Sequence, residues 1–230
     1  MTLLWVTRTQ PGAQELADQA QAQGLSVMVA PLVGVVASLA WQDVEAPPPD
    51  LIIVTSRHAL APFFASALGQ QAQSVPYIAL GSGSANGLRA QGVDVEVPTG
   101  VGSESVLEMP RLTRLPVGSV VWLIGGEGGR GVLPKALKAS GMQVVKLDFY
   151  RRQSLQPDLD ASVDIKWIEI SSLAALEGLA AFPEYRGAQL IVPSLRLFEL
   201  AQSAGFKAVQ AANPTTAAVV EVVRKGDNPS

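Results

Sequence analysis

The chain has no cysteine and a single histidine, His58. Without cysteine there is no disulfide, no thiolate nucleophile, no zinc–thiolate centre and no iron–sulfur cluster. One histidine leaves no multi-histidine metal site, and no serine–histidine–aspartate triad away from position 58. Charge is scarce as well: 16% of residues are Asp, Glu, Lys or Arg, and the formal net charge is −3. No basic run and no Lys/Arg stripe interleaved with aromatics marks a nucleic-acid surface, so no nucleic-acid partner is expected. Residues Gln19 to Gln42 carry no formal charge, yet Gln21, Gln23, Gly24, Ser26, Pro31 and Gly34 break the stretch. No apolar run reaches the ~20 residues of a membrane span. The opening MTLLWVTRT lacks a basic segment followed by an apolar one, so neither a signal peptide nor membrane association is expected, and the absence of cysteine fits a reducing cytoplasm.

What is present is a chain of 230 residues, 48% of them apolar, enough for one large or two small packed domains. It reads as strand–turn–helix units, in which short Val/Ile-rich runs end in small or polar residues before an Ala/Leu-rich helical stretch. Leu3–Val6 leads into Thr7-Arg8-Thr9 and a helix stopped by Gly24, after which Val27–Val29 continues as a strand. Leu51–Val54 leads into Thr55-Ser56 and a helix beginning near Arg57. Tyr77–Leu80 leads into Gly81-Ser82-Gly83-Ser84 and a helix closed by Gly92. Val120–Ile124 leads into Gly125-Gly126 and a helix closed by Gly141. Trp167–Ile170 and Gln189–Val192 lead into Ser171-Ser172 and Pro193-Ser194, the second helix closing at Gly205.

The units repeat. Trp5 and Trp122 lie 117 positions apart, as do Gly24 and Gly141, and Thr55-Ser56 and Ser171-Ser172 lie 116 apart. A near-constant offset across two elements points to two copies of one domain, with the unit at Gln189–Gly205 matching that at Tyr77–Gly92 more loosely. The order of the units then predicts one continuous domain over residues 38–145 and one built from both chain ends, 1–31 and 156–230. Segments 32–37 and 146–155 would cross between them as a two-stranded linker. Alternating strands and helices predict an α/β fold, each of the two similar domains a parallel sheet flanked by helices.

In open α/β sheets ligands bind beyond the carboxyl ends of the strands. Here those ends are Thr7-Arg8, Thr55-Ser56, Gly81-Ser82 with Ser84, Gly125-Gly126, Ser171-Ser172 and Ser194. Small and hydroxyl-bearing residues at helix starts expose backbone N–H groups suited to anions. Each Ser or Thr taken alone also reads as an ordinary helix N-cap. The run Gly125–Gly131 lacks the lysine and Ser/Thr of a phosphate loop, which leaves close approach to a large ligand or a flexible loop. Arg8, Arg57 and Arg130 fall on strand-to-helix turns, where they either pair with ligand carboxylates or stay solvated. His58 reads as a general acid or as a surface side chain, and Tyr150, in the second crossing segment, as a ligand contact or a packing residue.

Over essentially its full length the chain resembles the uroporphyrinogen-III synthases. Val6-Thr7-Arg8-Thr9 is similar to their N-terminal V-T-R-P turn, and Val54-Thr55-Ser56 and Ile170-Ser171-Ser172 to their T-S pairs. Gly81-Ser82-Gly83-Ser84-Ala85 resembles a G-x-x-T-A turn, with Ser84 in place of threonine. Leu133, Leu137, Gly141 and Tyr150 fit a helix–glycine–strand pattern ending in tyrosine, whereas Val192-Pro193-Ser194-Leu195 departs from the family's G-P-T-T turn. The resemblance implies a cytoplasmic, monomeric lyase that closes hydroxymethylbilane to uroporphyrinogen III. Ring D is inverted and water lost, in a cleft between two domains. It implies no cofactor and no metal. It gives Tyr150 the part of the tyrosine that helps the hydroxyl leave, and makes the strand-end residues named above the substrate-binding set.

Two other classes share parts of this pattern. A two-lobed module that binds an anion without catalysis would have the same double crossing, though it is normally exported. A nucleotide-dependent α/β enzyme would need a phosphate loop and a ribose-binding acid about 20 residues further on, and neither is present.

Overall fold

The computed structural model describes residues 3–100, 102–129, 131–160, 162–213 and 215–227. Among them the strands, in chain order, are β1 (Leu3–Val6), β2 (Ser26–Val29), β3 (Val33–Ala37), β4 (Leu51–Val54), β5 (Tyr77–Ala79), β6 (Val95–Glu96), β7 (Val120–Gly126), β8 (Gln143–Ser154), β9 (Ile165–Glu169), β10 (Gln189–Val192) and β11 (Lys207–Gln210). The helices are α1 (Gly12–Ala22), α2 (Leu60–Ala65), α3 (Ala67–Gln71), α4 (Ser82–Ala90), α5 (Ser103–Leu107), α6 (Pro110–Thr113), α7 (Val132–Ala139), α8 (Leu173–Leu179), α9 (Leu195–Ser203) and α10 (Thr216–Asp227). The chain divides into two compact units, one running up to Gly34 and resuming at Gln153, the other Val35–Arg152.

In the first unit a five-stranded sheet has the order β11-β10-β9-β1-β2, with every pair parallel. Parallel strands are buried on both faces. Trp5, Ile168 and Leu190 point to one side, under Leu176 and Leu179 of α8. Leu4, Val6 and Ile191 point to the other, where Leu16 and Ala20 of α1 meet Val219 and Val223 of α10.

The second unit carries a six-stranded sheet, β3-β8-β7-β4-β5-β6. Ile52, Trp122 and Ile124 pack on one face with Phe63 and Leu88. Leu51, Ile53 and Leu123 pack on the other with Leu133 and Leu137 of α7. The order β8-β7-β4-β5-β6 repeats β2-β1-β9-β10-β11, and the register repeats with it. Trp5 faces Met28 and Ile168 across its two neighbours, and Trp122 faces Val145 and Ile52. Each tryptophan is buried with its indole N–H given to a carbonyl, Trp5 to Ala30 at 2.7 Å and Trp122 to Pro47 at 2.9 Å.

The stop signals lie where the sequence puts them: Gly24, Gly92, Gly141 and Gly205 all have φ between 74° and 84°, the left-handed region that ends a helix. Other details differ. The helix expected from Arg57 starts as a 3-10 turn, and Ser66 takes an extended conformation that splits the rest into α2 and α3. The second crossing segment is not a free connector in its first part. From Gln143 to Tyr150 it is ladder-bonded to β7, because Leu147 and Phe149 are buried in the core of that sheet. β3 runs along its other edge: Ser38 N–H donates to Phe149 O and Leu155 N–H to Leu32 O, an antiparallel sense.

Candidate active site

The carboxyl ends of β4, β7 and β8 enclose a cleft of about 370 Å³, walled chiefly by Thr55, Ser56, Gly125, Gly126, Asp148 and Tyr150. Two glycines make room for it. A Cβ on Gly125 would strike Thr55 Oγ1, and one on Gly126 would lie 2.6 Å from both Cε atoms of Tyr150. Neither glycine needs its backbone freedom here, since neither has a positive φ. Each is required because another side chain occupies its space.

Tyr150 reaches the cleft through a bulge. Gly125 pairs with Asp148 but Gly126 with Tyr150, so Phe149 is an extra residue on β8. In an unbroken strand Tyr150 would point away from Phe149. With the bulge, Leu147, Phe149 and Tyr150 all join one cluster, and Tyr150 is 3% exposed. Its hydroxyl accepts a hydrogen bond from Arg152 Nη2 at 3.3 Å, and the same guanidinium lies 5.5 Å above the ring. His58 meets Tyr150 edge-on, ring centres 5.5 Å apart. Burial, then the charges of Arg57 and Arg152, push the His58 imidazolium pKa below its ordinary value. His58 is therefore neutral at pH 7, which speaks against its use as a general acid.

Two cleft residues have no counterpart in the sequence reading. Lys146 Nζ donates to Asp148 Oδ2 at 2.7 Å, and both side chains line the cleft. Asp148 Oδ1 is buried without a hydrogen-bond partner. On β8 they read as the polar half of an alternating strand. The signal that distinguishes them is the repeat, which puts Val29 and Pro31 at the corresponding places.

The remaining expected residues are distributed as follows. From the third turn only Leu80 lines the cleft; Gly81 and Ser82 are exposed at the start of α4, and Ser84 is buried. In the first unit, Thr7 Oγ1 donates to the Glu169 carbonyl at 2.5 Å. Arg8 holds Glu169 Oε1 through Nη2 at 2.6 Å and Nε at 3.0 Å. Glu169 is 1% exposed, and its Oε2 has no partner. In the repeat, Arg8 corresponds to Gly125 and Glu169 to Ile53. The first unit thus carries an ion pair where the second has Gly125 packed against Thr55. Ser172 and Ser194 accept from Ala175 N–H at 3.2 Å and Leu197 N–H at 3.4 Å, as helix N-caps, and Ser171 is exposed beside them. Arg130 lies outside the described residues. Among the described residues no group of three His, Asp or Glu side chains could hold a metal ion, and no helix is long and apolar enough to cross a membrane.

Comparison with known proteins agrees on one family. The family model for uroporphyrinogen-III synthase HemD matches residues 14–221. The uroporphyrinogen-III synthases of Salmonella typhimurium and Escherichia coli are each 28% identical over 233 residues, covering 90% of this chain and 94% of the relative. In fold, the chain is similar to the crystal structure of uroporphyrinogen-III synthetase from Helicobacter pylori, with a TM-score of 0.69 at 15% identity, covering 97% of this chain and 98% of the other. A mutant uroporphyrinogen III synthase from Thermus thermophilus gives a TM-score of 0.58 at 15% identity, over 99% of both chains. With its full-length α/β pattern and a family match spanning most of its residues, the chain belongs to the uroporphyrinogen-III synthase family.

Proposed function

We propose that this chain closes hydroxymethylbilane to uroporphyrinogen III, with ring D inverted and water released, in the cleft at the strand ends of the Val35–Arg152 unit. The observation that carries this reading is Tyr150 seated over Gly126 at the rim of an amide- and hydroxyl-lined cleft, in a chain of this family. The substrate loses hydroxide to give an electrophilic azafulvenium cation. Ring D then attacks through its substituted carbon, and the spiro intermediate fragments and recloses with that ring reversed. The pyrroles supply the electron push. The protein has to hold one conformation against spontaneous closure to the unflipped isomer, and to help hydroxide depart.

Tyr150 is the proposed donor to the departing hydroxyl. Thr55, Ser56, Gly125 and Gly126 offer hydroxyls and amides to the substrate carboxylates. Gly81, Ser82 and Ser84, and Thr7, Arg8, Ser171, Ser172 and Ser194 in the other unit, complete the proposed binding set. Arg8 joins it by exchanging Glu169 for a substrate carboxylate. The cleft groups come from one chain, so a monomer suffices. The test is to add enzymatically made hydroxymethylbilane, oxidise the product and separate the isomers. The expected product is the type III isomer. Type I alone, at the uncatalysed rate, contradicts the proposal.

A further inference from the structure

We infer that Asp148 is a further catalytic residue: its carboxylate faces the pyrrole N–H of the ring that loses hydroxide and stabilises the positive charge formed there. The inference rests on the proposed cyclisation and adds a group to it. Asp148 stands opposite Gly125 in the parallel ladder of β7 and β8. Gly125 has no side chain, and a Cβ there would meet Thr55 Oγ1. The opening above Gly125 therefore has the Thr55 hydroxyl on one side and the Asp148 carboxylate on the other, with Tyr150 lining the same cleft. Lys146 satisfies only Oδ2, and Oδ1 is left without a donor. A buried acceptor in that state is costly until a donor arrives, and rotation about χ2 exchanges which oxygen meets Lys146. The fold does not demand this pair, since the other copy of the domain has Val29 and Pro31 in its place. A carboxylate is also misplaced in a cleft for a polycarboxylate unless something there donates to it. The pyrrole N–H groups are such donors, and they become stronger ones as the ring turns cationic.

When the hydroxymethyl C–O bond breaks, its electron pair leaves with the oxygen, which takes the Tyr150 proton and departs as water. The ring left behind is a cation whose charge is shared between the methylene carbon and the N–H, and Asp148 accepts a hydrogen bond from that N–H without taking the proton. Carbon–carbon bond formation passes the charge to ring D. The proton lost after reclosure returns to the Tyr150 oxygen, so water is the only by-product. A fixed negative charge aimed at a developing cation acts on the barrier and not on ground-state binding.

The test compares wild type, Asp148→Asn and Lys146→Met with hydroxymethylbilane, reading kcat, KM and isomer ratio, with near-UV circular dichroism to check the fold. Asp148→Asn is expected to lower kcat roughly tenfold to a hundredfold with KM unchanged or lower. Lys146→Met, which keeps the carboxylate, is expected to lose less. Asp148→Ser is read in the same way if the asparagine variant does not fold. Wild-type kcat in the Asp148 variants, or equal losses in the Asp148 and Lys146 variants, overturns the inference, because Asp148 is then only the partner of Lys146. Absence of type III product from the wild type overturns the cyclisation reading itself.

Discussion

The residues of the cleft separate into those that sequence patterns expose and those that only packing does. Thr55, Ser56, Gly125 and Gly126 are legible as strand-end residues, and Tyr150 through the family resemblance. The bulge that turns Tyr150 into the cleft is not legible, because Phe149 and Tyr150 are both large and apolar and either could be the extra residue. Glu169 is not legible because it lies inside the otherwise apolar run Trp167–Ile170, nor is Asp148, which sits between Leu147 and Phe149 as the polar position of an alternating strand. Tyr150→Phe keeps the ring that packs on Gly126, so the variant should stay folded. Turnover should fall roughly tenfold to a hundredfold, the lower part of the range for one positioned acid, since a phenol is a weak donor. Full activity with full isomer fidelity would make Tyr150 a packing residue. His58 supplies a second expectation. Its pKa is lowered in the fold, so on acidification the unfolded chain takes up the proton first and stability declines as pH drops below the ordinary 6.5. Melting temperatures between about pH 7 and 5.5 should show a shallower decline for His58→Gln than for wild type. Identical slopes would contradict the assigned cause.

At the scale of elements, periodicity and stop signals placed β1, β4, β5, β7, β9 and β10 and the helices that follow them. The ends of α1, α4, α7 and α9 were readable because a left-handed glycine closes each. Elements without such punctuation were not readable. β6 is two residues long, and β11 mixes polar with apolar positions. α10 is rich in valine, a residue with no strong helical preference, and is held by packing of Val219 and Val223 on α1. The serines at helix starts have two candidate duties, capping and ligand binding, and these separate by measurement. Ser194 caps α9 through Leu197 N–H. Ser194→Ala should cost about 1 kcal/mol of stability in denaturant unfolding while changing kcat much less. A loss of activity with no loss of stability would make Ser194 a substrate ligand first.

For the whole molecule, the repeat is the most informative feature, since it supplies an internal comparison that a single sequence otherwise lacks. The same strand order and register hold in both sheets, yet one copy carries Arg8 and Glu169 where the other has Gly125 and Ile53. Because the fold accommodates either solution, replacing both residues (Arg8→Gly with Glu169→Ile) should leave stability within about 1 kcal/mol or raise it. Glu169→Ala alone should cost about 3 kcal/mol by stranding a partly buried cation. Urea unfolding of the single and double variants decides this, and equal losses in both would show that the pair is needed by the fold. The same comparison supports the proposed placement of the reaction in the unit that carries Gly125 and Gly126. A crystal structure with uroporphyrinogen III bound under reducing, anaerobic conditions tests that placement most directly. The account predicts product density over Gly125 and Gly126, with Tyr150 and Asp148 against the macrocycle. Product bound elsewhere, with this cleft empty, would contradict it.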